Sequence, residues 1–211
     1  MAFDMTGVVT DAEGRPVSGA KVIVWRDYDH LSSVVTDTAG RYKVNFSGAP
    51  GSNHVPNADP PGTQDAVAFL EIEAPGYERL AHYILGTAEH LVQNVRLHRR
   101  QRIAAGESAV LSIGPDDTVC AVDAWPWRGL KCGIVHVVAQ TSGRMTVEAV
   151  PTQHGGNAPT LEVYSHSDRS SGYGNPVSIP VTAGIEYIVD VAVPWDTSQS
   201  FALNTTMAVV P

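Results

Sequence analysis

The chain has 211 residues, a formal charge of −8, and 43% hydrophobic against 17% charged residues. That length allows one or two domains with a real core. The acidic balance excludes a nucleic-acid binder, which needs clustered Lys and Arg to attract phosphate, and no apolar run approaches the roughly 20 residues of a membrane-spanning helix.

Short strands separated by turns fill the first hundred residues. TGVVTD leads into AEGRPVSG, a turn with Gly14, Pro16 and Gly19, and AKVIVWRD and SSVVTD follow as strands. TAG turns into RYKVNFS, where alternation sets Tyr42, Val44 and Phe46 on one face and Arg41, Lys43 and Asn45 on the other. Residues 48–65 carry Pro50, Pro56, Pro60 and Pro61 and read as a long loop, of a length that is usually functional or mobile. AVAFLEIEA, RLAHYIL and HLVQNVRLH resume the strands. In LEIEA, Glu71 and Glu73 share a face, read as solvent-facing rather than catalytic. The basic cluster HRRQR, His98 to Arg102, reads as a solvated junction.

The second hundred continues with AGESAVLSI, TVCAVDA, CGIVHVVAQ, SGRMTVEAVP, TLEVYS, NPVSIPV, TAGIEYIVDVAV and SFALNTTMAV. No stretch shows a long helical period. We expect an all-β protein of two β-sandwiches in tandem, residues 1–98 and 99–211.

The only two cysteines, Cys120 and Cys132, bracket a segment with Trp125-Pro126-Trp127. Strands on either side would bring the cysteines opposite one another, as a disulfide or as two buried thiols. Rigid exposed indoles suit stacking on a sugar ring or docking a protein partner, with Asp123 and Arg128 nearby for hydrogen bonds and Trp195 as a third ring. The opposite reading has the rings capping the sandwich end, since most Trp are largely buried.

Asp27, Asp29, His30 and Asp37 gather near the end of the second strand, read as a polar strand end because the glycine and further carboxylate of a calcium loop are missing. Asp116-Asp117 is read as a turn. His82, His90 and His98 are evenly spaced, but there is no H-x-H and no H-E-x-x-H, so no metal site is expected. No G-x-S-x-G elbow appears.

On GVVTDAEGRPVSGAKVIV, VVTDTAGRYKV and EIEAPGYERL, residues 4–97 resemble the carboxypeptidase regulatory-like domain, a transthyretin-like β-sandwich. On AGESAVLSI, SGRMTVEAVP, TLEVYS and VTAGIEYIVDVAV, residues 101–211 more faintly resemble the bacterial pre-peptidase C-terminal type of β-sandwich. These resemblances imply an exported or cell-surface, non-catalytic protein for binding, adhesion, or surface and filament assembly. They imply a carbohydrate or protein partner, or self-pairing through exposed sheet edges, and no cofactor. An exported setting favours the disulfide. The start, MAFDMTGVVT, shows no signal peptide, so the extracellular placement rests on the resemblance.

GRPVSGAKVIVWRDYD and DTAGRY also resemble the intradiol dioxygenases, which share a sandwich and a Trp at the strand end. That alternative implies iron held by two Tyr and two His. Tyr28 and Tyr42 are the nearest tyrosines, and the closely spaced histidine pair is missing.

Overall fold

The computed structural model describes residues 2–26, 29–47, 66–85, 90–114, 117, 130–153, 156, 158–194 and 198–208. The described residues are all-β, without a helix. The chain divides into two compact units: 1–99 with 116–129, and 100–115 with 130–211. The expected long loop at 48–65 lies outside the described residues.

The first unit holds β1 (Ala2–Asp11), β2 (Lys21–Arg26), β3 (Asp29–Val35), β4 (Arg41–Ser47), β5 (Ala66–Glu73), β6 (Leu80–Leu85), β7 (His90–Val92) and β8 (Val95–Leu97). One sheet runs β4-β1-β7, with β8 also on β1, and the other runs β3-β2-β5-β6. Strict alternation builds the layer between them. β4 buries Tyr42, Val44 and Phe46, the face its sequence predicts, and β1 turns Phe3, Met5 and Val9 the same way. These meet Val22, Val24, Leu70 and Ile72 from the second sheet in one core.

Two turns lock together at one corner of this unit. The Val9 N–H donates to the Gly40 carbonyl at 2.8 Å, and the Val17 N–H donates to the Val9 carbonyl at 2.9 Å. Gly40 has φ 71°, and a Cβ there would lie 2.4 Å from the Val9 oxygen and 3.3 Å from the Pro16 Cβ. Only glycine meets both demands. Asp11 closes the first turn from inside, accepting the Arg15 N–H and Nε, each at 2.8 Å. Burial pushes its carboxyl up, and the backbone and side-chain bonds from Arg15 outweigh that, so the net shift is downward.

HLVQNVRLH, expected as one strand, is two. β7 and β8 both pair parallel with β1, and the chain steps off the ladder between them at Gln93-Asn94. The step has a physical cause. Asn94 Oδ1 takes the Val8 N–H at 3.1 Å, and the Gln93 carbonyl leans over Gly7, where a Cβ would lie 1.9 Å from it.

The second unit holds β9 (Arg102–Ala104), β10 (Ser108–Ile113), β11 (Leu130–Val138), β12 (Gly143–Pro151), β13 (Thr160–Tyr164), β14 (Ser171–Gly174), β15 (Val177–Val181), β16 (Glu186–Pro194) and β17 (Gln199–Ala208). Its sheets run β10-β17-β12-β15 and β14-β13-β16-β11-β9. Both contribute to one core that includes Met145, Val163, Tyr187, Val189 and Phe201. Tyr187 is buried with its hydroxyl satisfied: it donates to Asp168 at 2.5 Å and accepts the Thr182 N–H at 2.8 Å.

Candidate functional site

Alternation sends Val22 and Val24 of β2 into the core and Ile23 and Trp25 to the other face of the sheet. The register shifts between Val24 and Trp25, where β2 meets β3. Trp25 Nε1 donates to Glu71 Oε2 at 2.8 Å, and Arg79 Nη1 sits 3.2 Å from Glu71 Oε1. The His30 ring meets Trp25 edge to face at 5.2 Å and 66°. Glu71 is therefore not the solvent-facing residue expected: it is 7% exposed and joins β2 to β5. Alternation fixes which face a side chain takes but not what lies over that face. Asp37, grouped with the polar strand end, closes the turn that follows β3, its Oδ1 accepting the N–H of Ala39 and Arg41. Asp27 lies outside the described residues, as do Asp116 and Tyr28.

On the opposite sheet, β1 turns Asp4 outward between Asn45 of β4 and His90 of β7. His90 Nδ1 lies 2.5 Å from Asp4 Oδ1, and Lys43 Nζ lies 3.2 Å from Asp4 Oδ2. The His90 hydrogen bond, then that of Lys43, holds the Asp4 carboxyl below its ordinary value. A shallow, open depression of about 350 Å³ lies here, bordered by Asp4, Asn45, Ser47 and His90. The neighbouring Phe3 and Phe46 turn their rings the other way, into the core, where they stack at 5.3 Å and 14°. Sequence reasoning missed this site. His90 stood out only as a member of an evenly spaced histidine series, and Asp4 is 86 residues away from it along the chain.

The three evenly spaced histidines have separate partners or places. His90 goes to Asp4, His98 Nε2 to Asp117 Oδ1 at 2.7 Å, and His82 lies on β6 across from Leu70. Asp117 is thus more than a turn residue. HRRQR is exposed at His98, Arg99, Arg100 and Arg102, with Gln101 half-buried; Arg99 lies 5.5 Å over the Tyr77 ring and Arg102 Nε lies 2.9 Å from Glu186. In the second unit His136 Nδ1 meets the other Glu186 oxygen at 3.0 Å, a tie among β9, β11 and β16. Among the described residues no three His, Cys, Asp or Glu side chains gather in a way that would hold a metal ion.

The expected binding residues Trp125, Trp127, Asp123, Arg128 and Trp195 lie outside the described residues, as does Cys120. Cys132 is buried and disulfide-bonded. Tyr42 does not fit the metal-ligand role that the dioxygenase resemblance implies. It is 5% exposed, its hydroxyl donates to the Gln93 carbonyl at 2.7 Å, and burial pushes its phenol well up. An iron ligand would need that oxygen deprotonated and free.

No family model matches the chain, and no curated protein does. Solved structures similar to part of it include the 3-chlorocatechol 1,2-dioxygenase of Rhodococcus opacus 1CP, at 17% identity and a TM-score of 0.34. Others are the catechol 1,2-dioxygenase of Acinetobacter sp. ADP1, at 15% and 0.35, and the hydroxyquinol 1,2-dioxygenase of Pseudomonas putida DLL-E4, at 14% and 0.33. Each similarity covers 47% of this chain and between 53% and 60% of the other. The chain thus spans just over half the length of these structures. All three are enzymes, and none is by name a surface or adhesion protein. Against the expectations of a non-enzymatic chain and of a surface or adhesion role, the solved structures found are named as enzymes. Likeness at this level carries no activity over to this chain.

Proposed function

We propose that this chain is an enzyme of the intradiol-dioxygenase-like kind, with a small aromatic diol as the first substrate class to test. The observation that supports the reading is Trp25. It is the next-to-last residue of the strand that carries the resemblance, is anchored through Nε1 to Glu71, and has His30 against its ring. The two resembling stretches also meet in space, since Gly40 of the second packs on Pro16 and Val17 of the first. That corner is common to the transthyretin-like resemblance as well, and the strand-end Trp is what favours the dioxygenase.

The described residues do not fit the iron centre implied by the resemblance. Tyr42 is committed to Gln93, and no ligand cluster is present among the described residues. No step is therefore routed through iron. What the described residues supply is a fixed indole, an exposed imidazole beside it, and a carboxylate held by an indole N–H and a guanidinium.

Metal content and oxygen uptake with catechol, measured on the full chain, test the reading. Catechol-dependent oxygen uptake supports it. Inert protein, with or without added iron, overturns it.

A further inference from the structure

We propose that β10 pairs antiparallel with β10 of a second copy of this chain, about a twofold axis at Val110. The pairing concerns the second unit alone and stands or falls independently of the dioxygenase reading.

Free peptide groups are the first argument. β10 is an edge of its sheet, hydrogen-bonded to β17 on one side. Just before the strand, the Thr205 N–H donates to the Glu107 carbonyl at 3.2 Å. In an antiparallel ladder the bonding direction alternates from residue to residue. Ala109, Leu111 and Ile113 therefore turn their peptide groups to β17, and Ser108, Val110 and Ser112 turn theirs to the open edge. The side chains agree with this phase, because pairs that exchange no backbone bonds lie closer together. Ser108 Oγ meets Asn204 at 2.9 Å, and Ser112 Oγ meets Ser200 at 2.7 Å. Among the described residues no hydrogen bond reaches the open edge.

Open edges are usually guarded by shortness, proline or charge. The other edges of this unit are: β15 carries Pro180, β9 has three residues and includes Arg102, and β14 has four, two of them glycine. β10 has six residues, with no charge, no proline and no break in its register against β17.

Self-complementarity selects a second copy as the partner. Ser108-Ala109-Val110-Leu111-Ser112 is nearly a palindrome. With Val110 on the axis, each Ser108 faces Ser112 of the other copy, and on the core side each Ala109 faces Leu111, small against large. This register uses all three outward residues of each strand, in about six backbone hydrogen bonds. A slip of one residue would set outward peptide groups against inward ones. The outer face matches as well. Val110, 64% exposed, lies beside Ala202, which lies beside Val150, and the axis joins the two copies of this row end to end. The nearest carboxylate, Glu107, would stand about 20 Å from its symmetry mate, beyond the screening length of about 8 Å at physiological salt.

Sedimentation of the full chain, from about 1 μM to about 1 mM, tests the pairing. One strand pair buries less than a standard interface, so the expected dimer dissociates on dilution. Val110→Lys sets two ammonium groups against each other at the axis. Val110→Pro removes an N–H that points to the open edge, at no cost to the bonds with β17. Each should weaken the dimer about tenfold or more. A wild-type chain that stays monomeric throughout the range overturns the proposal, as does a dimer that the folded variants leave intact. If the variants fail to fold, amide hydrogen exchange of the wild type decides. Ser108, Val110 and Ser112 must gain protection as concentration rises while Ala109 and Leu111 do not, and protection without that alternation, or none, overturns the proposal.

Discussion

Tyr42→Phe separates a structural tyrosine from a metal ligand. The substitution removes one oxygen and leaves the ring in the core, so no cavity of consequence forms. What is lost is the hydroxyl's hydrogen bond to the Gln93 carbonyl, 2.7 Å long and partly buried. A typical bond of this kind contributes about 0.5–1.5 kcal/mol net, and a carbonyl left partly unpaired adds to the cost. The expected loss is therefore about 1–2 kcal/mol. Urea unfolding followed by circular dichroism measures it. Two units allow two transitions, and only the transition of the first unit should move. Any metal that purifies with the protein should be retained in the variant. Unchanged stability together with loss of bound metal would refute the structural assignment and return Tyr42 to the ligand set.

Gly7→Ala should cost about 2–5 kcal/mol, because its Cβ would lie 1.9 Å from the Gln93 carbonyl and would both overpack the site and displace that acceptor. Combined with Tyr42→Phe in a double-mutant cycle it should be non-additive by about 1 kcal/mol, since both changes act on the same carbonyl. Tyr187's hydrogen bond to Asp168 is the leading reason that the Asp168 carboxyl lies below its ordinary value of 3.8. Its stabilisation is present above that value and lost as pH falls through the lowered folded value, so Asp168→Asn should flatten the acid limb of a pH-melting series. His98 is shifted the other way, upward from 6.5, chiefly by its hydrogen bond to Asp117. That contribution is complete below 6.5 and lost as pH rises through the raised folded value, so His98→Gln should destabilise the protein at pH 6 more than at pH 9. A difference that is flat across the two pH values would contradict it.

How far the sequence could be read depends on the range of the interaction. Alternation is local, so the inward face of β4 and the strands β12, β13, β15, β16 and β17 were legible from residue types alone. Gly40 was legible as a turn residue, though its second constraint, the Val9 oxygen 2.4 Å from its missing Cβ, comes from another strand. Pairing over long separations was not legible. β7 has three residues, too few for a period to show, and only its parallel register with β1 puts His90 beside Asp4. Trp25 was visible as a strand-end aromatic, while its partner Glu71 was misread. A two-residue alternation looks the same whether the face above it is wet or covered.

Oxygen consumption of the full chain with catechol, with bound iron quantified in the same preparation, decides whether the protein is an intradiol-dioxygenase-like enzyme. Catechol-dependent uptake with a ring-opened product is the expected result. A well-folded preparation that consumes no oxygen with catechol, even after iron is supplied, would contradict it.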